Sequence, residues 1–194
     1  MSDSLKQGFQ LPPEQQAIRD RCFHPSGTFA EFPIDDVETS IPERFEKMVR
    51  MYPDRTAIKT DDDAFTYDQL NSAANRLAKE IVVRQSLPIE PVAIFLEFGA
   101  PLIIAILGIL KAGKIFVVID PTFPEERINY LLEDSQASLV VTNNNSLLPA
   151  QSCLREGTQL INLDELPRDP ASEYPRPYPS PRALAVLVYT SGST

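Results

Sequence analysis

An α/β fold, a mostly parallel sheet covered by helices on both faces, is what this sequence predicts. Three observations carry it. Residues 92–96, 115–119 and 138–141 are short runs in which apolar residues follow one another instead of alternating, as in strands buried on both sides. Helical patterns stand between these runs, giving the strand–helix alternation of parallel crossover units. A further run, residues 184–189, is apolar throughout and must return to a sheet already begun, because too little chain follows it to fold alone.

Residues 1–39 carry turn formers and polar residues with no sustained period, and read as a leader arm; 40–194 read as the folded domain. Ser40-Ile41-Pro42-Glu43 has the form of a capping box, and Phe45, Met48 and Val49 behind it predict a short amphipathic helix over 41–51. Residues 57–59 and 64–66 flank Asp61-Asp62-Asp63 and predict a small hairpin, its three carboxylates a solvated turn rather than a metal site. A second box, Thr66 to Gln69, opens a helix whose Leu70, Ala73, Ala74, Leu77, Ala78 and Ile81 share one face.

The strand 92–96 is followed by a helix over 102–110 that is apolar nearly all round, with Gly113 placed where a left-handed cap is needed. After the strand 115–119, Pro124 opens a helix that turns Ile128, Leu131 and Leu132 inward. Residues 143–158 read as a polar connection, 160–163 as a short strand, and the proline-rich stretch 167–181 as an extended surface crossing.

Composition narrows the function. With 194 residues, 43% hydrophobic and 23% charged, the chain is that of a soluble globular protein. Its net charge of −9 includes no basic stripe, which argues against a nucleic-acid surface. His24 is the only histidine and the two cysteines, Cys22 and Cys153, lie far apart, so a zinc site or a Ser–His–Asp triad has almost nothing to be built from. The N-terminus lacks the basic and apolar regions of a signal peptide, and the longest apolar run, 98–110, is too short to span a bilayer and stops at Lys111. A reduced, cytoplasmic setting is expected.

Two places could carry chemistry in such a fold, where ligands sit at the carboxyl ends of strands. One is Thr190-Ser191-Gly192-Ser193-Thr194, directly behind the strand 184–189. Its small residues would let backbone N–H groups approach a phosphate, with hydroxyls as further donors, although a plain Ser/Thr turn has the same composition. It is not a P-loop, since Gly192 stands alone and no lysine follows. The other is Asp120-Pro121, behind the strand 115–119, which could hold a ribose or metal but reads better as a turn starter. Glu125 and Glu126 are explained by the dipole of the helix they open.

Three segments, in order, resemble the core motifs of adenylate-forming enzymes, above all the adenylation domains of nonribosomal peptide synthetases. Phe65-Thr66-Tyr67-Asp68-Gln69-Leu70-Asn71-Ser72-Ala73-Ala74-Asn75-Arg76-Leu77-Ala78 resembles the first. Leu110-Lys111-Ala112-Gly113, through Asp120-Pro121 and Phe123-Pro124-Glu125-Glu126-Arg127-Ile128, to Leu131-Leu132-Glu133-Asp134-Ser135, resembles the second. Leu187-Val188-Tyr189-Thr190-Ser191-Gly192-Ser193-Thr194 is similar to the opening of the third, the family's phosphate-binding loop. Departures stand at Lys114-Ile115 and Val118, where the family has small residues and a proline, and at Phe98-Gly99-Ala100.

The resemblance implies part of the large N-terminal domain of that fold, cut within the loop. It also implies an enzyme that activates a carboxylic acid, an amino acid by its closest likeness, with ATP to give an acyl-adenylate. The acyl group would then pass to the phosphopantetheine thiol of a carrier protein or downstream carrier domain. Thr190, Ser191, Gly192, Ser193 and Thr194 would hold the ATP phosphates, with Mg²⁺ neutralising charge. The 194 residues alone are expected to be inactive and poorly soluble. A noncatalytic remnant or partner-binding fragment, and a fragment of an acyl- or aryl-CoA ligase, remain alternatives.

Overall fold

The computed structural model describes residues 12–15, 37–60, 63–85, 89–154, 156–167 and 179–190. Cys22 and His24, Asp61 and Asp62, most of the proline-rich crossing and the loop residues Ser191 to Thr194 lie outside them. The chain divides into two compact units, 1–37 and 38–194, and the elements below belong to the second.

Helix α1 (Ile41–Met51) begins where Ser40 Oγ accepts the Glu43 N–H at 3.4 Å. Strands β1 (Thr56–Lys59) and β2 (Ala64–Thr66) pair antiparallel as the predicted hairpin. Helix α2 (Tyr67–Arg84) opens on a complete capping box: Gln69 N–H donates to Thr66 Oγ1 at 3.2 Å, and Thr66 N–H donates to Gln69 Oε1 at 2.9 Å. All six residues of its predicted apolar face are buried.

The main sheet is parallel, in the order β6-β5-β3-β4-β7. Its strands are β3 (Pro91–Ile94), β4 (Ile115–Val118), β5 (Leu139–Thr142), β6 (Gln159–Asn162) and β7 (Val186–Leu187). Between them run α3 (Ala100–Lys111), α4 (Glu125–Ser135) and α5 (Leu147–Cys153). Alternate strand residues feed two cores. Val92, Ile94, Leu139, Val141 and Ile161 pack with Leu77 and Ile81 of α2 and Leu102, Ala105 and Ile109 of α3. Ala93, Phe95, Val117, Ile119 and Val140 pack with Ile128, Leu131 and Leu132 of α4 and Ala150 and Cys153 of α5. Helices therefore cover both faces, as the continuous apolar strands require.

The all-round apolarity of α3 has a structural cause. One side meets the sheet, while Leu107 and Ile104 meet Leu70 and Ala74 of α2 and the hairpin's Ile58 and Phe65. Contact with α2 is so close at Gly108 that a Cβ there would lie 2.7 Å from Leu77 Cδ2 and 2.9 Å from Leu77 Cβ. Gly113 follows at φ 71°, the left-handed cap expected.

Two expectations need correction. The connection 143–158 is not irregular throughout, since α5 occupies its centre with Ala150 and Cys153 buried. The run 184–189 is not a strand buried on both faces. Only Val186 and Leu187 are strand; Leu187 and Tyr189 pack on the α4 side, whereas Leu184, Val186 and Val188 are exposed. Among the described residues β7 stands last in the sheet order, and α2 and α3 lie over β3 and β5.

Lys111 is the other departure from a plain reading. It is 2% exposed, and its ammonium donates to Glu46 of α1 and to Asn71 and Asn75 of α2. Burial lowers its pKa from 10.5 while Glu46 pulls it back up. Between the lowered folded value and 10.5 the unfolded chain holds a proton the folded chain has released, so this group alone makes stability rise with pH there. Lys111→Met should cost about 3 kcal/mol by urea unfolding of the protein carrying this chain, because it strands the Glu46 carboxylate. Lys111→Met combined with Glu46→Gln should recover most of that loss. A neutral single variant would refute the assignment.

Candidate functional site

The topology creates a crevice at the carboxyl ends of β3 and β4. The chain leaving β3 enters α3 in one layer, and the chain leaving β4 enters α4 in the other. Strand-end loops that part to opposite faces leave a gap between them, the usual ligand position in open parallel sheets. β7 lies beside β4, so Thr190 emerges at the same end.

A cleft of ≈ 840 Å³ lies there, bounded by Phe98, Asp120, Phe123, Arg127, Tyr130 and the stretch from Val186 to Thr190. That volume is of the size that holds a nucleotide-sized ligand. Arg127, on the first turn of α4, lies with its guanidinium 5.6 Å from the centre of the Tyr130 ring. It supplies positive charge where an anion would enter. A second cavity of ≈ 670 Å³, between the hairpin, α2 and the turn after β6, is lined by Asp63, Asp68 and Asp164 with Arg76. Three carboxylates make it the poorer place for a phosphate.

Asp120 does start a turn. Its Oδ1 accepts from the Thr122 N–H at 2.8 Å and the Thr122 hydroxyl at 2.7 Å, and these bonds hold its carboxyl below the ordinary carboxylate range. Of the five predicted loop residues only Thr190 is among the described ones; it is exposed at the cleft. Among the described residues no group of three or more His, Cys, Asp or Glu could hold a metal. A Mg²⁺ that arrives on nucleotide phosphates needs no such cage, so the donors present are compatible with it.

Sequence reasoning missed two features of the site. Arg127 was legible only as a residue of the α4 opening. Tyr189 was counted as one more apolar strand residue, yet its hydroxyl donates to Asp134 Oδ2 at 2.7 Å across 55 positions of sequence. No local pattern announces such a pair. Burial first, then the hydrogen bond to Asp134 and its charge, push the Tyr189 pKa to about 12.

A parallel sheet with a largely apolar cleft at its strand ends, to which Asp120, Arg127 and Thr190 add polar groups, defines an α/β protein with a ligand-sized site in the usual strand-end position. Residues 45–194 match the family described as AMP-binding enzyme, and the chain belongs to that family. Within it, the chain is similar to the adenylation domains of nonribosomal peptide synthetases. It is 36% identical over 167 residues to gramicidin S synthase 2 of Brevibacillus brevis, a match covering 80% of this chain and 3% of that protein. It is 35% identical over 174 residues to the N-(5-amino-5-carboxypentanoyl)-L-cysteinyl-D-valine synthase of Penicillium chrysogenum, covering 87% of this chain and 4% of that protein. Among solved structures it resembles the nonribosomal peptide synthetase FmoA3 in its α-methyl-L-serine-AMP-bound form. The TM-score is 0.72 at 28% identity, over 78% of this chain and 17% of that one. The chain thus spans a few per cent of the length of the curated relatives it matches. No helix among the described residues is long and apolar enough to cross a membrane.

Replacing Asp134 with asparagine removes the neighbouring charge but keeps an acceptor oxygen. Asp134→Asn should bring the Tyr189 titration, followed by NMR of ring-labelled tyrosine, down from about 12 towards the ordinary 10. An unchanged titration would show that the contact does not persist in solution.

Proposed function

We propose that the protein carrying this chain activates a carboxylic acid, an amino acid by its likeness to the peptide synthetases, at the expense of ATP. A carboxylate oxygen attacks the α-phosphorus, pyrophosphate leaves, and an acyl-adenylate remains. The activated acyl group then passes to a phosphopantetheine thiol on a carrier protein or downstream carrier domain. In this reading, residues 1–39 are an arm and 40–194 are part of the adenylation domain. The cytoplasm, which supplies ATP, is the compartment assigned.

The observation that carries the reading is the position of Thr190 at the strand-end cleft, with the loop Thr190-Ser191-Gly192-Ser193-Thr194 following in sequence. Hydroxyls and backbone N–H groups on that loop would bind the β- and γ-phosphates and steady the pyrophosphate as it departs. Arg127 would draw the nucleotide to the cleft. Mg²⁺, when bound, supplies neutralisation of the phosphate charge. Family membership and the three motif segments in order support the same assignment.

The test is acid-dependent exchange of labelled pyrophosphate into ATP by the protein carrying this chain, with a panel of amino and aryl acids. Exchange stimulated by one or a few amino acids is expected. Thr190→Val and Ser193→Ala should each lower kcat/KM for ATP by on the order of tenfold or more. Exchange driven by aryl acids alone would favour a CoA-ligase activity, and no exchange with any acid would favour a noncatalytic role.

A further inference from the structure

We propose that Tyr189 and Asp134 form a positioning pair that fixes the entry to the nucleotide loop. The inference rests on the acid-activating reading above and adds two residues to it, Asp134 and Tyr189, the latter at the cleft wall with its hydroxyl engaged by Asp134.

β7 gives the loop a weak base. Its ladder to β4 ends at the Val117–Leu187 pair, one residue after it begins. Tyr189 supplies a fixed point beyond the ladder. Its ring packs with the α4 core, and its hydroxyl donates to Asp134 Oδ2 at 2.7 Å. Thr190 follows immediately.

Asp134 is also badly placed for the helix that carries it. It lies in the last turn of α4, which has no basic residue, and a carboxylate there opposes the helix dipole. Helix stability therefore does not explain it, whereas an acceptor for Tyr189 does. The other charged and phenolic groups facing the Tyr189 hydroxyl, Arg127 and Tyr130, come from the same helix. The pair thus ties the loop to α4, the element that also carries Arg127.

The experiment measures ATP affinity by calorimetry and pyrophosphate exchange by steady-state kinetics in the protein carrying this chain. Tyr189→Phe keeps the packed ring and removes only the donor. It should weaken ATP binding and raise KM for ATP about three- to tenfold, the effect of one ordinary hydrogen bond at a solvent-accessible position. KM for the acid, and kcat at saturating ATP, should stay within about twofold of the parent. Asp134→Ala should match Tyr189→Phe, the double variant should be no worse than either, and Asp134→Asn should restore most of the affinity. Unchanged ATP affinity in Tyr189→Phe would overturn the proposal. So would equal losses for ATP and acid accompanied by a lowered Tm, which mark a merely structural role. A parent that binds ATP but exchanges no pyrophosphate would overturn the acid-activating reading, while the affinity series would still decide the pair.

Discussion

The buried ammonium of Lys111 is the interaction on which the rest of the arrangement depends. A charge at 2% exposure is tolerable only when its hydration is replaced, and two neighbouring helices supply the replacement. α3 brings the lysine, α1 the Glu46 carboxylate, and α2 the amide oxygens of Asn71 and Asn75 at 2.7 and 2.8 Å. The Phe45 ring of α1 adds a face 5.7 Å away. Apolar packing alone would let these helices slide. A lysine that must meet three acceptors gives them one register, and Gly108 against Leu77 lets α2 and α3 approach closely enough to keep it.

That register has consequences at the far end of α3. With its carboxyl end pinned by Lys111 and its body buried against β3 and β5, the amino end of α3 is set beside the chain leaving β3. α4 takes the opposite layer through Ile128, Leu131 and Leu132. The strand-end crevice is the geometric result of those two commitments. Lys114 performs a related task at the other end of the sheet, donating to Glu90 Oε2 at 3.0 Å and the Gln85 carbonyl at 3.3 Å. The residue that departs from the family's small-residue pattern thus fastens the end of α2 to the start of β4.

Much of this architecture was legible because it is local. The Thr66–Gln69 box, the spacing of Leu70 through Ile81, Gly113 behind α3 and the continuous apolar strands each state their conformation within a few residues. α5 was not legible: seven residues containing Pro149 are too short for a helical period, and only Ala150 and Cys153 are buried. The run 184–189 misled because apolarity reports what a strand could bury, not how much cover the described residues give it. Lys111 looked like the charged stop to an apolar helix, since its partners lie 65, 40 and 36 residues away. At the site, the loop's composition and the motif order pointed to phosphate chemistry. Arg127 and the Tyr189–Asp134 contact depend on how α4 packs beside β7, which no window of sequence contains.

In the reaction we propose, a carboxylate attacks the α-phosphorus of ATP at the strand-end cleft, with the loop behind Tyr189 holding the pyrophosphate that leaves. Isotope transfer tests it directly. The protein carrying this chain would be supplied with ATP, hydroxylamine as acyl acceptor, and a stimulating acid labelled with ¹⁸O in its carboxyl group. One labelled oxygen should appear in AMP, because the bridging oxygen of an acyl-adenylate leaves with the nucleotide. Label in inorganic phosphate, with ADP as the other product, would place the attack at the γ-phosphorus and contradict it.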